Sequence, residues 1–161
     1  MKKEKKELPH FFYNFTVYTP PLKLFAKEML KLLPPPLPDR EATHLVTSSS
    51  SGCAIASAMI VLSRRPIDVL YIRKPNETSH SSGGTAVPFP ENTEFIFVDD
   101  AIASGKTLRR CINFISGRPG ILKGCKITKA IIITDYMICT PGREVIKGNK
   151  IQVKSVITET S

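Results

Sequence analysis

The chain has 161 residues, 42% of them hydrophobic and 23% charged, which is typical of one folded domain and not of a disordered or fibrous protein. No apolar run approaches the length of a membrane span, so the sequence excludes membrane insertion. The basic amino-terminal stretch lacks the apolar segment of a secretion signal, and we therefore expect a cytoplasmic protein.

Four cysteines without metal-ligand spacing favour reduced thiols. The formal charge of +9 favours an anionic partner, and its spread along the chain disfavours nucleic acid relative to a substrate with several phosphates.

Strand-type and helix-type hydrophobic patterns alternate along the chain. Apolar residues spaced three and four apart predict a first helix that ends at the proline run beginning at Pro34. Similar stripes predict helices around Met59 and around Cys111. A serine-rich turn is expected over residues 48–52 and a long loop over residues 74–90. The predicted strands cover residues 43–47, 68–72, 94–98, 127–134 and 151–157, the last at a sheet edge.

This alternation predicts an α/β fold with a mostly parallel sheet flanked by helices on both faces. Ligands of such sheets bind at the carboxyl ends of the strands, so function is expected in the strand-to-helix loops. We expect a single domain over residues 1–161, divided into an amino-terminal segment over residues 1–40 and a core over residues 41–161.

The segment richest in chemistry is a buried strand that leads into Asp99 and Asp100 and then into a small-residue turn that opens a helix. Free amides at a helix amino terminus, together with the hydroxyls of Ser104 and Thr107, form a phosphate site. Paired carboxylates do not hold phosphate, but they accept hydrogen bonds from vicinal hydroxyls such as those of ribose. The combination predicts a phosphorylated sugar as the ligand.

A nucleotide-binding P-loop is the competing interpretation of this segment. The run from Ser104 to Thr107 matches the end of the P-loop pattern, and the strand ending at Asp135 resembles a magnesium-binding strand end. The first glycine of the pattern is missing, however, and its position is Asp100, preceded by Asp99. Two negative charges would then stand where the backbone must cradle phosphates, which disfavours a P-loop.

Residues 98–107 resemble the signature of type I phosphoribosyltransferases, which bind 5-phosphoribosyl 1-pyrophosphate (PRPP). The resemblance implies that Asp99 and Asp100 bind the ribose hydroxyls. It also implies that the 5′-phosphate lies on the following turn, formed by Ala103, Ser104, Gly105, Lys106 and Thr107.

Two further loops resemble the family in the same order along the chain. The serine tract after the first strand lies where these proteins carry the pyrophosphate loop, which implies a pyrophosphate-binding role for Ser49, Ser50, Ser51 and Gly52. The loop after the second strand resembles the mobile catalytic loop, nearest to the orotate members, and implies catalytic roles for Arg73, Lys74 and His80. It is long enough to form a lid, and its polar composition over residues 75–86 predicts poor order without ligand.

The resemblance also implies a reaction, a cofactor and partners. The family displaces pyrophosphate from PRPP with a nucleobase-like acceptor, with Mg²⁺ held through PRPP near Asp99 and Asp100 rather than by the protein alone. Ala103 occupies the position of the general base of 6-oxopurine members, whereas adenine and orotate members tolerate a small residue there. Together with the loop that carries His80, and because orotate is already an anion that needs no base, this favours a pyrimidine-type acceptor. A homodimer, in which Lys74 or His80 completes the partner's site, and a small hood built from the terminal segments are further expectations. A PRPP- or nucleotide-binding regulatory protein with little catalysis is the alternative, because Thr78, Ser79 and Ser81 depart from the orotate pattern.

Overall fold

The structure, a computed structural model, describes residues 19–35, 42–74 and 89–158. These ranges contain four helices: α1 (Thr19–Leu32), α2 (Ser50–Leu62), α3 (Lys106–Ser116) and α4 (Thr140–Gly148). They also contain five strands: β1 (Thr43–Thr47), β2 (Ile67–Tyr71), β3 (Glu94–Ala101), β4 (Lys126–Thr134) and β5 (Gln152–Ile157). Each predicted strand is present, with bounds that differ from the prediction by at most three residues.

The five strands form one sheet in the order β2-β1-β3-β4-β5, and every neighbouring pair is parallel. The predicted parallel sheet is therefore confirmed, as is the edge position of β5. Because β1 and β3 pair in the centre, the loops that follow them open side by side at the carboxyl edge of the sheet.

Helices cover both faces of the sheet, as the alternation of elements predicts. On one face α1 and α2 bury Met29, Ile55 and Met59 against inward-facing residues of β1, β3 and β4. On the other face α3 and α4 contribute Leu108 and Val145 to a second apolar cluster. The sheet is thus buried on both sides, which accounts for the near-continuous apolar runs of β3 and β4.

Three local features differ from the sequence prediction. The serine tract is not a turn throughout, because α2 already begins at Ser50 with Ser49 as its cap. Strand β3 continues through both carboxylates to Ala101, so Asp99 and Asp100 lie on the strand and not after it. Helix α4 was not predicted, because it is short and buries only Gly142 and Val145.

The amino-terminal segment contributes to the core through α1, which buries Ala26 and Met29, and through Leu33 directly after the helix. Residues 1–18 and 36–41 lie outside the described ranges, so the expected hood and the division into segment and core stay predictions. No helix within the described residues is long and apolar enough to cross a membrane.

Candidate functional site at the carboxyl edge of the sheet

The strands from which the predicted functional loops leave, β1, β2 and β3, end at one edge of the sheet. Thr47 pairs with Tyr71 at the ends of β1 and β2, and the Ile72 amide donates to the Thr47 carbonyl at 2.8 Å. Arg73 and Lys74 follow directly on this edge and are exposed. His80 and the predicted lid over residues 75–86 lie outside the described residues.

Asp99 accepts hydrogen bonds from two serine side chains of the site. Its Oδ1 atom accepts from Ser49 Oγ at 2.6 Å and from Ser51 Oγ at 2.9 Å. Ser51 Oγ also lies 3.0 Å from Asp100 Oδ1, and since a hydroxyl has a single proton, it serves one carboxylate at a time. The structure therefore joins the serine loop to both carboxylates, a connection that no sequence pattern indicated.

Burial controls the charge of this carboxylate pair. Asp99 is 3% exposed, and its burial, with the hydrogen bond and negative charge of Asp100, raises its pKa from 3.8 to about 7. Hydrogen bonds from Ser49 and Ser51 lower the pKa and offset part of that rise. Near neutral pH the ligand-free pair therefore carries less than two full negative charges.

The start of α2 packs tightly against β3. Ser49 Oγ caps the helix by accepting from the Gly52 amide at 2.8 Å. A Cβ atom at Gly52 would overlap Thr47 Oγ1 and would lie 2.6 Å from the Val98 carbonyl oxygen. Only glycine fits here, and the close approach holds the serine hydroxyls against the carboxylates.

The start of α3 has a different construction. Gly105 precedes the helix in the left-handed conformation, with φ 74° and ψ 7°, and no side chain caps the helix. Among the described residues, the amides of Ser104, Gly105, Lys106 and Thr107 donate no hydrogen bond. They line a pocket of about 220 Å³ that also contains Ser49, Ser51, Asp99 and Asp100. The predicted phosphate turn and the predicted ribose carboxylates thus share one cavity.

The fold that positions this site recurs in solved structures. Orotate phosphoribosyltransferase of Mycobacterium tuberculosis in complex with Fe(III) dicitrate is similar over 89% of this chain and 76% of its own, with a TM-score of 0.64 and 16% identity. The complex of that enzyme with PRPP gives a TM-score of 0.62 at 17% identity over the same shares. The chain has the type I phosphoribosyltransferase fold.

Adenine phosphoribosyltransferase from Trypanosoma brucei, in complex with AMP, pyrophosphate and ribose-5-phosphate, shares this fold. It has a TM-score of 0.59 and 15% identity, over 91% of this chain and 68% of its own. No protein-family model matches the sequence, and no curated protein matches it either. The likeness to the phosphoribosyltransferases is thus visible in the fold and in short motifs, and not in overall sequence.

Helix α4 supports the turn of this phosphoribosyltransferase fold from behind. The Cys139 amide donates to the Ala103 carbonyl at 3.2 Å, and its Sγ lies 3.1 Å from the same oxygen. A Cβ atom at Gly142 would overlap that carbonyl, so the helix approaches the turn as closely as its backbone allows. Sequence reasoning missed these residues, although Pro141 in the first turn of the helix was an available signal.

The donor set of the site suits a hard cation only in part. Carboxylate oxygens are ligands that Mg²⁺ accepts, and Asp99 and Asp100 supply them. Within the described ranges, however, no group of three or more His, Cys, Asp or Glu side chains could hold a metal ion. An ion at this edge would need further oxygens from a bound ligand.

Proposed function

We propose that the protein is a phosphoribosyltransferase that transfers the ribose 5-phosphate of PRPP to a nucleobase-like acceptor and releases pyrophosphate. The observation that carries this proposal is the shared cavity, in which uncapped amides and a carboxylate pair face the same space. A phosphate suits the amides and a ribose diol suits the carboxylates, so one phosphorylated sugar satisfies both.

In this proposal the turn holds the 5′-phosphate. Its donors are the free amides at the start of α3, where the helix dipole favours negative charge. Lys106 adds a cation at the first position of the helix. Ala103 contributes its backbone, which Cys139 and Gly142 keep in place.

The carboxylates hold the ribose hydroxyls through oxygens that remain outside the serine network. Asp99 and Asp100 direct their Oδ1 atoms to Ser49 and Ser51, which fixes the orientation of both carboxylates before ligand binds. Such preorganisation reduces the entropy lost on binding. Binding of a ligand that requires both full charges also displaces the proton held at Asp99 near neutral pH.

The diphosphate would lie over the start of α2, where Ser50, Ser51 and Gly52 form the first turn. Arg73 and Lys74 leave β2 at this edge and, with His80, would neutralise the charge that pyrophosphate gains as the sugar bond breaks. Mg²⁺ bound to PRPP oxygens near the carboxylates would supply additional charge neutralisation. Closure over this end would also exclude water from the sugar cation.

The binding assignment is tested by calorimetry with PRPP and Mg²⁺. Asp99→Asn/Asp100→Asn is expected to weaken PRPP binding at least tenfold, about 1.4 kcal/mol, because charge-assisted acceptors are lost. Asp135→Asn is the matched control, since Asp135 follows the neighbouring strand β4 and accepts from Ser155 at 2.9 Å. Equal PRPP affinity of wild type and the double variant would contradict the assignment.

Turnover is tested with PRPP, Mg²⁺ and a panel of bases by measuring pyrophosphate release. We propose a pyrimidine-type acceptor, with orotate as the first candidate, because Ala103 leaves the turn without a carboxylate base. Lys74→Ala is expected to lower turnover far more than PRPP affinity. Tight PRPP binding with no release from any base would instead support the regulatory alternative.

We also propose a homodimer with sites completed across the interface. Mixing Lys74→Ala with Asp99→Asn/Asp100→Asn would then restore part of the activity that each variant lacks, because some mixed dimers combine an intact carboxylate pair with an intact Lys74. Light scattering gives the oligomeric state in parallel. A monomer, or a mixture without recovered activity, would contradict a shared site.

A further inference from the structure

Arg110 is a partly buried cation whose charge the described residues leave unpaired. It lies on α3, and its Nη1 atom donates to Ser48 Oγ at 3.2 Å. No carboxylate in the described ranges forms an ion pair with it, and its other N–H groups donate no hydrogen bond there. A neutral hydroxyl does not compensate a guanidinium charge, so an anion at this position would be stabilised.

The partner of Arg110 places this charge at the β1–α2 loop. Ser48 is fully buried and immediately precedes Ser49, the cap of α2. Lys106 is four residues before Arg110, so both cations lie on the same side of α3. The phosphate turn therefore has a lysine beside it, and the serine loop has an arginine.

We propose that Arg110 binds the diphosphate group of PRPP at the β1–α2 loop. This inference rests on the proposed function and adds a residue that neither the motif nor the loop patterns indicated. A guanidinium presents its N–H groups in a planar fork that matches phosphate oxygens, whereas a hydroxyl uses only one of them. Arg110 would then distinguish the diphosphate end of the ligand from the 5′-phosphate end.

The experiment compares three probes by calorimetry: PRPP, inorganic pyrophosphate and ribose 5-phosphate. Arg110→Ala is expected to weaken PRPP and pyrophosphate binding about tenfold and to leave ribose 5-phosphate binding within about twofold. Arg109→Ala is the matched control, because Arg109 is the adjacent cation on α3 and is exposed. It removes the same net charge and should change none of the three affinities appreciably.

Two further variants separate ligand contact from support of the loop. Ser48→Ala removes the hydrogen bond to Arg110 and retains the guanidinium, so pyrophosphate affinity should change by less than about threefold. Arg110→Lys retains the charge but not the planar fork, so it should recover only part of the affinity lost in Arg110→Ala. If Arg110→Ala does not fold, Arg110→Gln replaces it, with the same expected losses.

The outcomes distinguish this inference from the function it rests on. Unchanged pyrophosphate affinity in Arg110→Ala, or equal losses for all three probes, would overturn the role of Arg110 alone. An equal loss in Ser48→Ala would also overturn it, because Arg110 would then act by holding the loop. A wild-type protein that binds none of the probes would overturn the proposed function itself.

Discussion

Helices α2 and α3 begin at the same edge of the sheet, yet their amino termini are built in opposite ways. At α2 the Ser49 hydroxyl caps the helix and donates to Asp99 at 2.6 Å. At α3 a left-handed Gly105 precedes the helix, and no side chain caps it. At α2 one amide, that of Gly52, is satisfied by a side chain of the protein, whereas the first amides of α3 face the cavity.

The presence of a side-chain cap at α2 and its absence at α3 give the two helix termini different roles. A capped terminus cannot offer the same N–H group to a ligand, but it can hold neighbouring side chains in place. An uncapped terminus gains most from an anion, because its amides and dipole are otherwise compensated only by water. The serine loop therefore orients the carboxylates, while the amides of the turn at Gly105 remain open to a ligand.

The strongest test of the capped amino terminus of α2 is Gly52→Ala. We expect the free energy of unfolding to fall by about 3 kcal/mol, because the new Cβ would overlap Thr47 Oγ1 and press on the Val98 carbonyl. Gly120→Ala is the control, since no atom lies within 4 Å of a Cβ there. Urea unfolding of both variants measures the difference. Equal stabilities would show that the serine loop is loosely packed.

The uncapped amino terminus of α3 is tested by Gly105→Ala. A side chain at φ 74° costs about 1–2 kcal/mol, and its Cβ would lie 3.1 Å from Val145 Cγ2. We expect a corresponding loss of stability and weaker binding of ribose 5-phosphate in calorimetry. Gly148→Ala, at a position with nothing within 4 Å of a Cβ, should leave that affinity unchanged. Unaltered binding in Gly105→Ala would mean that the turn does not hold the phosphate.

The buried carboxylate predicts a pH dependence of the ligand-free protein. The pKa of Asp99 is raised to about 7 in the folded state, so the folded protein holds a proton that the unfolded chain has released above pH 3.8. Stability therefore falls as pH rises through this window, by about 1 kcal/mol between pH 6 and 8. Thermal unfolding across that range measures the slope, and Asp99→Asn should flatten it. A stability that rises with pH and is insensitive to Asp99→Asn would contradict the assignment.

The smallest expected effect concerns the hydroxyl shared by the two carboxylates. The Ser51 hydrogen bond lowers the pKa of Asp99, so Ser51→Ala should move the midpoint of the pH dependence upward. The stability change itself should be about 0.5 kcal/mol. Ser57→Ala is the control, because Ser57 is exposed on the same helix. If the midpoint moved equally in both variants, the Ser51 hydroxyl would not be what lowers the pKa of Asp99.

Hydrophobic periodicity in the sequence was sufficient to predict most of the helices and strands. Buried strands such as β3 and β4 show continuous apolar runs, and amphipathic α3 places Leu108, Cys111 and Ile115 at helical spacing. Periodicity did not reveal helix α4, because a nine-residue helix that buries Gly142 and Val145 has almost no apolar stripe. Ser50 and Gly52 suggested a turn because serine and glycine favour turns, whereas packing against β3 keeps them helical.

The candidate site was predictable only where its residues are contiguous. Asp99, Asp100 and the turn that follows form one motif, and the structure places them around one cavity. The bonds from Ser49 and Ser51 to Asp99 join residues about fifty positions apart, and the bond from Arg110 to Ser48 joins residues 62 positions apart. Such contacts depend on strand order, which a single sequence does not contain.

The hold of α4 on the Ala103 carbonyl has a consequence for how the protein is made. The turn that faces the cavity lies near position 105, but the groups that brace it, Cys139 and Gly142, come more than thirty residues later. A nascent chain that has not yet released α4 from the ribosome therefore carries the complete turn without its support. A ligand that binds only the supported turn would also stabilise the docked position of α4.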